Sequence, residues 1–291
     1  MTMKKAKGDR IFDIINYTLM ALVVFITLYP LWYVVVASFS SGTAVTKGDV
    51  VFWIKDFSLS AYKKTLTAPN IGTSYLNTIF YAFVGTAVSM IFTVLGGYVL
   101  SKKRLWGRKV ITLFVMFTMW FGAGMMPNYI LMSNLNLLDT RLGVILFGAV
   151  STFYVILMKS FFESIPESME ESAKIDGADD FTVLFKIYLP LSTASLMTIS
   201  LYYFVARWNS YFWPMILLTD ETKIPLQVVL KKMLVEMTGL YENSSNMDLS
   251  VTSKETMVYS TMVIAVVPML LIYPFVQKFF VKGIMLGAVK G

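Results

Sequence analysis

The chain has 291 residues, 56% apolar and 15% charged, with a formal charge of +7 and neither histidine nor cysteine. Soluble globular proteins carry about 25% charged residues, so this is the composition of a membrane protein. The missing histidine and cysteine exclude disulfides, thiol and imidazole chemistry, and every zinc site built on those ligands.

A helix that crosses a bilayer needs roughly 20 mostly apolar residues. Six stretches lack any Asp, Glu, Lys or Arg: Ile14 to Thr46, Thr65 to Ser101, Val110 to Leu138, Leu142 to Met158, Ile187 to Ala206 and Thr256 to Gln277. They predict an all-α integral membrane fold, one transmembrane domain over residues 1–291, with spans at about 15–38, 75–100, 110–132, 142–162, 190–213 and 257–277. One such stretch alone also fits a buried core helix; six of them leave too little polar sequence for a soluble shell. The first follows Lys4, Lys5, Lys7 and Arg10 like a signal peptide, but its apolar part from Tyr17 to Ala37 is too long for a cleaved leader. The fourth is the shortest, and Arg141 and Lys159 at its ends extend it by snorkelling.

With the N-terminus inside, segments 1–13, 101–109, 159–189 and 278–291 hold 15 of the 25 basic residues, against 9 in the outer segments. Both termini are therefore expected to be cytoplasmic. The densest cluster, Lys102-Lys103-Arg104 with Arg108-Lys109, reads as a topology anchor touching anionic lipid, not as a nucleic-acid site.

The loop at 163–189 holds the most ordered polar sequence. Ser164-Ile165-Pro166-Glu167 predicts a capping box opening a short helix that runs to about Asp176. Gly177 suits a left-handed helix end, and Asp179 or Asp180 suits the cap of a second helix. There Phe181, Leu184, Phe185 and Tyr188 share one apolar face, and Pro190 closes the unit. Glu167, Glu170, Glu171, Asp176, Asp179 and Asp180 would then be displayed beside the small residues Ser172 and Ala173. A surface connector with an ordinary Glu170–Lys174 pair accounts for this text. A docking element accounts for it better, because anionic lipid repels carboxylates and a basic protein groove attracts them.

Glu171-Ser172-Ala173, then Gly177, Ile187 and Leu189-Pro190, resembles the EAA loop of permease subunits of bacterial ABC importers, with Ser172 where alanine is usual. Leu28-Tyr29-Pro30-Leu31-Trp32, Gly97-Tyr98, Asn136 through Gly143, Trp208-Asn209 and the tail from Phe280 to Gly291 resemble carbohydrate importer permeases of the maltose type. Phe162 through Pro166 and Ile175 through Ala178 are similar to the branch that handles oligosaccharides from complex polysaccharides. The resemblance implies that 163–189 is a coupling loop seated in a groove of a separate ATPase. Glu167, Glu170, Glu171, Ser172, Ala173, Asp176, Gly177 and Pro190 would carry that coupling: Glu171 meeting a basic ATPase residue, Ala173 allowing close contact, Gly177 setting the angle. It also implies that the cytoplasmic tail 278–291 reaches toward the ATPase pair. The implied partners are a second permease subunit, two ATPase subunits that bind the ATP and Mg²⁺, an extracytoplasmic binding protein, an oligosaccharide and the bilayer of the bacterial inner membrane.

Arg207 is the charge placed at membrane depth, where it faces an aqueous or protein interior or snorkels outward. Trp208, Asn209, Tyr211 and Trp213 follow. Aromatic faces with amide and guanidinium donors suit a sugar path, with Arg207 as counter-charge for an acidic cargo, and they suit an interfacial belt equally. The outer loop from Pro214 to Glu255 contains an amphipathic helix, Pro225 to Met237, with Leu226, Val229, Leu230, Met233, Leu234 and Met237 on its apolar side, and a turn or tip at Glu242 to Asn246.

No P-loop sequence occurs, so ATP is expected to act through another chain. A secondary transporter predicts a carboxylate within the spans, and an intramembrane enzyme predicts a pair of them; the six stretches contain none. A permease of the same architecture for a non-sugar solute is the nearer alternative. The chain itself is expected to be a transport subunit without cofactor or metal, and not an enzyme.

Overall fold

The computed structural model describes residues 7–67, 70–239 and 253–288, and every regular element among them is helical. In chain order these are α1 (Lys7–Ser38), α2 (Gly42–Thr46), α3 (Ser60–Thr67), α4 (Ile71–Ser101), α5 (Arg108–Phe117), α6 (Met125–Asn134), α7 (Arg141–Leu146), α8 (Thr152–Glu163), α9 (Glu167–Ile175) and α10 (Asp180–Val183). A π-helical turn over Leu184–Tyr188 leads into α11 (Leu189–Leu191), followed by α12 (Thr193–Trp208), α13 (Phe212–Leu217), α14 (Leu226–Gly239) and α15 (Lys254–Ala288).

Two compact units result, one from residues 1–69 and 232–267, the other from 70–231 and 268–291. In the first, α1 presents apolar side chains outward along most of its length, from Ile11 to Val35, as a helix bathed in lipid or covered by another subunit does. Its last turn buries Val36 and Ala37 against Ala44, Val45 and Val50. The loop after α2 folds back on the helix, with Trp32 Nε1 donating to the Phe52 carbonyl at 2.8 Å.

In the second unit α4 is the central post, and α12 and α8 lie along it. Close approach is possible because α4 turns small and hydroxyl residues to its neighbours: Ser74, Thr78, Gly85, Ser89, Thr93 and Gly97 are all buried. Small residues are how membrane helices gain packing where lipid offers no hydrophobic drive. At Gly97 a Cβ would stand 2.9 Å from Met158 Cγ and 3.1 Å from the backbone nitrogen of Lys159.

α1 and α4 are each long and apolar enough to cross a membrane unbroken. The third and fourth stretches, expected as single spans, are instead each two helices. α5 ends at Phe117 and Gly124, at φ +83°, stands just before α6, while Gly148, at φ +63°, follows the end of α7 in a conformation that a right-handed helix cannot continue through. The fifth is a bent pair, residues 180–191 and 193–208 meeting at 84°, and the sixth lies within α15. On α14 the expected one-sided burial is also revised: Leu226, Val228 and Leu230 are all buried, since Val228 packs by the N-terminal half of α4 with Tyr81, Val144, Ile145 and Ile224. The tip Glu242 to Asn246 and the terminal Val289 to Gly291 lie outside the described residues.

Candidate functional site at the 163–189 loop

α8 ends at Glu163 and Ser164 closes it, its hydroxyl donating back to the Phe161 carbonyl at 2.7 Å. The capping box is therefore not formed. Pro166 precedes α9 without any side-chain cap, and Glu167 accepts from Lys103 Nζ at 2.8 Å instead of reaching back to Ser164. α9 begins with Glu167 and Glu170 in its first turn, where the exposed amides favour negative charge.

The far end is built as its residues predict. Gly177 stands at φ +82°, its N–H bonds the Lys174 carbonyl at 3.0 Å, and the Ala178 N–H bonds that of Ala173 at 2.9 Å. This pair of reversed bonds is the Schellman helix stop. Asp179 then caps α10, accepting from the Thr182 amide at 2.9 Å. Beyond it the apolar face differs from the helical expectation: Leu184 and Tyr188 are buried, whereas Phe181 and Phe185 are 67% and 61% exposed. The π-helical turn is the reason. Its wider winding puts Val183 and Tyr188, five residues apart, into one cluster with Tyr98, Met158, Phe162, Ile199 and Tyr203. Pro190 sits in the short α11 just before the bend at Ser192.

Of the expected coupling residues, Glu171, Ser172, Asp176 and Gly177 lie on the surface together with Glu167 and Ile175. Ala173 is half-buried, packed against the cluster. Glu170 is likewise turned inward and not displayed. Its side chain is 13% exposed, and it receives Lys102 Nζ at 2.5 Å, Lys174 Nζ at 2.7 Å and the Tyr188 hydroxyl at 2.8 Å. Burial pushes its pKa up, but these three donors outweigh it and hold the carboxyl at about 2. Burial likewise lowers Lys102 below an ordinary lysine, opposed by the bond to Glu170.

The basic loop is committed to this acidic helix pair. Lys103 binds Glu167, Arg104 binds Asp180 and Arg108 binds Glu163, while Arg108 Nε also takes the orphan carbonyl of Leu100 at 2.9 Å. A groove of about 540 Å³ runs between the two, lined by Lys103, Arg104, Ser164, Pro166, Glu167 and Glu171.

The residues expected on a substrate path have other partners. Arg207 donates to the carbonyls of Val144 at 2.8 Å, Ile145 at 2.9 Å and Phe147 at 3.1 Å, which are the groups left open where α7 stops. Gly85 makes room for it: a Cβ there would stand 3.1 Å from Arg207 Nε. One turn earlier, Tyr203 accepts from the Ser151 amide at 3.0 Å and shares a hydrogen bond with Thr93 at 2.8 Å. Together they satisfy a broken backbone that lipid could not solvate. Trp208 is buried against Ala82 and Phe204. Asn209 and Tyr211 are exposed, the former donating to its own helix at Val205. Trp213 packs at a tilt against Phe147 with ring centres 4.0 Å apart.

Residues 93–286 match the family described as binding-protein-dependent transport system inner membrane component. The chain belongs to that family. Over 284 residues it is 39% identical to the polygalacturonan/rhamnogalacturonan transport system permease protein YtcP of Bacillus subtilis (strain 168), covering 97% of this chain and 99% of that one. The lactose transport system permease protein LacG of Rhizobium radiobacter is 26% identical over 285 residues, 97% of each. Among solved structures, a bacterial ABC transporter involved in the import of the acidic polysaccharide alginate contains a chain 44% identical, with a TM-score of 0.87, covering 96% of this chain and all of that one.

For this transport component, the roles that sequence patterns missed are those of Lys102 and Tyr188, which hold Glu170, of Tyr98, whose ring faces Lys102, and of Tyr203, which steadies the break after α7. Tyr98 and Lys102 carried one usable signal, an aromatic and a cation one turn apart at the end of an apolar helix. Tyr188 and Tyr203 carried none, since their partners are distant in the chain.

Proposed function

We propose that this chain is the permease subunit of an ATP-driven importer that moves an oligosaccharide, handed over by an extracytoplasmic binding protein, across a bacterial inner membrane. Six crossings place both termini and the 163–189 loop in the cytoplasm, each broken helix pair counting as one. The loop is the coupling element. The observation that carries this reading is the exposed side of the loop: Glu171, Ser172 and Asp176 of the α9 end are exposed, and so are Ile175, Phe181 and Phe185. A rigid acidic helix flanked by exposed aromatic and aliphatic side chains is what a partner with a basic, partly apolar groove would take. That partner is an ATPase subunit, two of which bind ATP and Mg²⁺; this chain performs no chemistry. A second permease subunit completes the pathway by covering surfaces such as outer α1. The likeness to permeases for galacturonan-type and alginate cargo supports an acidic, polysaccharide-derived oligosaccharide.

Arg207 serves this mechanism as a brace for the α7–α8 break, since its donors are used on three carbonyls. Alternating access would then work by moving the coupling loop with the helices it is clamped to.

The test is purification of the tagged chain from its native host. An ATPase and a second permease of similar size are expected to come with it, and Glu171→Lys is expected to abolish their nucleotide-dependent coupling while leaving membrane insertion intact. Wild-type uptake by that variant would remove the coupling assignment. Thermal-shift screening of the associated binding protein against acidic and neutral oligosaccharides then names the cargo class.

A further inference from the structure

One buried ammonium group joins α9 to the end of α4. Lys102 is the residue at which α4 ends, with its N–H closing on the Val99 carbonyl. Its Nζ lies 3.9 Å from the centre of the Tyr98 ring and 3.7 Å from that of Tyr188, and 2.5 Å from Glu170 Oε2, with 9% of the side chain exposed. The two rings stand edge to face at 5.1 Å, and Phe162 of α8 packs edge-on against both. Tyr98 donates on to the Asp180 carbonyl at 3.1 Å. Four elements, α4, α8, α9 and the π-helical turn before α12, thus converge on a single charge. Cation–π attraction strengthens once the cation is desolvated, and a buried ion pair left with one member is far more costly than an exposed one. The neighbouring pair Lys103–Glu167 joins the same two segments, but its side chains are 72% and 56% exposed, so it contributes little.

We propose that Lys102 is a positioning residue for energy coupling: caged by Tyr98 and Tyr188 and bound to Glu170, it locks the coupling helix to the end of α4, so that a push on α9 moves the membrane helices instead of bending the loop. This rests on the coupling role proposed above. Glu171 faces the ATPase and Glu170 faces the cage, so the adjacent carboxylates receive and transmit the same movement.

The experiment uses the whole transporter, reconstituted with its ATPase and partner permease, and reads uptake and ATP hydrolysis in the same vesicles. Lys102→Met keeps the apolar stem and removes the charge. It is expected to retain bound ATPase and hydrolysis within about twofold, and to lower solute moved per ATP at least tenfold; Lys103→Met is expected to leave that ratio unchanged. Lys102→Arg, which keeps the cation between the rings, restores a substantial part of it. If Lys102→Met does not accumulate, Tyr188→Phe, which removes only the bond to Glu170, is expected to lower the ratio by a smaller factor. A second reading uses the absence of native cysteine: spin labels at Val99→Cys and Ile175→Cys should give a narrow distance distribution that broadens when Lys102 is Met. An unchanged ratio of transport to hydrolysis in Lys102→Met, or in Tyr188→Phe where the former does not accumulate, overturns the proposal. So does loss of the ATPase from Lys102→Met alone, which would make the residue a docking determinant. Failure of the wild-type chain to bind any ATPase would instead overturn the coupling reading beneath it.

Discussion

Arg207 and Glu170 are each a charge held by partners well away in the chain, and each makes a distinct prediction. Arg207→Met leaves the carbonyls of Val144, Ile145 and Phe147 without their donor. At about 1 to 3 kcal/mol for each of the three buried groups left unsatisfied, the expected cost is about 3 to 9 kcal/mol, seen as a lower unfolding midpoint in detergent. Unchanged stability with a selective loss of acidic cargo would return Arg207 to the substrate path. For Glu170, the folded carboxyl titrates at about 2 against an ordinary 4.5. A depressed folded pKa means that its contribution is complete above pH 4.5 and is lost as the pH falls toward about 2. Wild-type stability should therefore drop across that window, and Glu170→Gln should be less stable at neutral pH but flatter below it. Parallel pH curves for the two proteins would show that the carboxylate is not held as described.

At the scale of elements, the α4–α8 contact depends on Gly97. A side chain there meets Met158, which could shift, and the Lys159 backbone, which cannot shift without moving α8. Gly97→Val is expected to cost about 1 to 3 kcal/mol, while Gly72→Ala, with open space around it, is expected to be neutral; equal midpoints for both would mean that α4 and α8 separate freely. The loop helices were legible because their signals are local. Gly177 ends α9 and Asp179 begins α10 using bonds within a few residues. The capping box failed because Ser164 was already committed to Phe161, and the apolar face failed because a π-helical turn is not visible in a 3.6-residue period. The break after α7 had a signal in Gly148, but hydropathy alone runs through it and through the end of α5 at Phe117.

For the whole molecule, the topology can be checked with single introduced cysteines, since there are none to remove. Labels at Lys103 and Ile175 are expected to react only from the cytoplasmic side, and labels at Trp53 and Thr222 only from outside. Reactivity of Lys103 and Trp53 from the same side would overturn the orientation drawn from basic residues. The same basic residues acquire a second role in the fold. Lys102, Lys103, Arg104 and Arg108 were expected to face lipid headgroups, and all four pair with carboxylates between Glu163 and Asp180.

Composition and hydropathy were enough to indicate a helical membrane protein, and local text marked the segment from Glu163 to Leu189; the transport role came from that segment's resemblance to importer permeases. The first two follow from residue type and short spacing, because the bilayer imposes helices on any long apolar stretch and because caps and stops use neighbouring backbone groups. Which acid lies on the surface and which faces the core was decided by tertiary structure alone. Glu170 and Glu171 are adjacent and chemically identical, but the turn of α9 carries one into the cage made by Tyr98, Lys102 and Tyr188 and leaves the other on the surface. Arg207 likewise became a brace because a helix ends 60 residues earlier in the chain, and the free carbonyls that bind it exist only once the fold has formed.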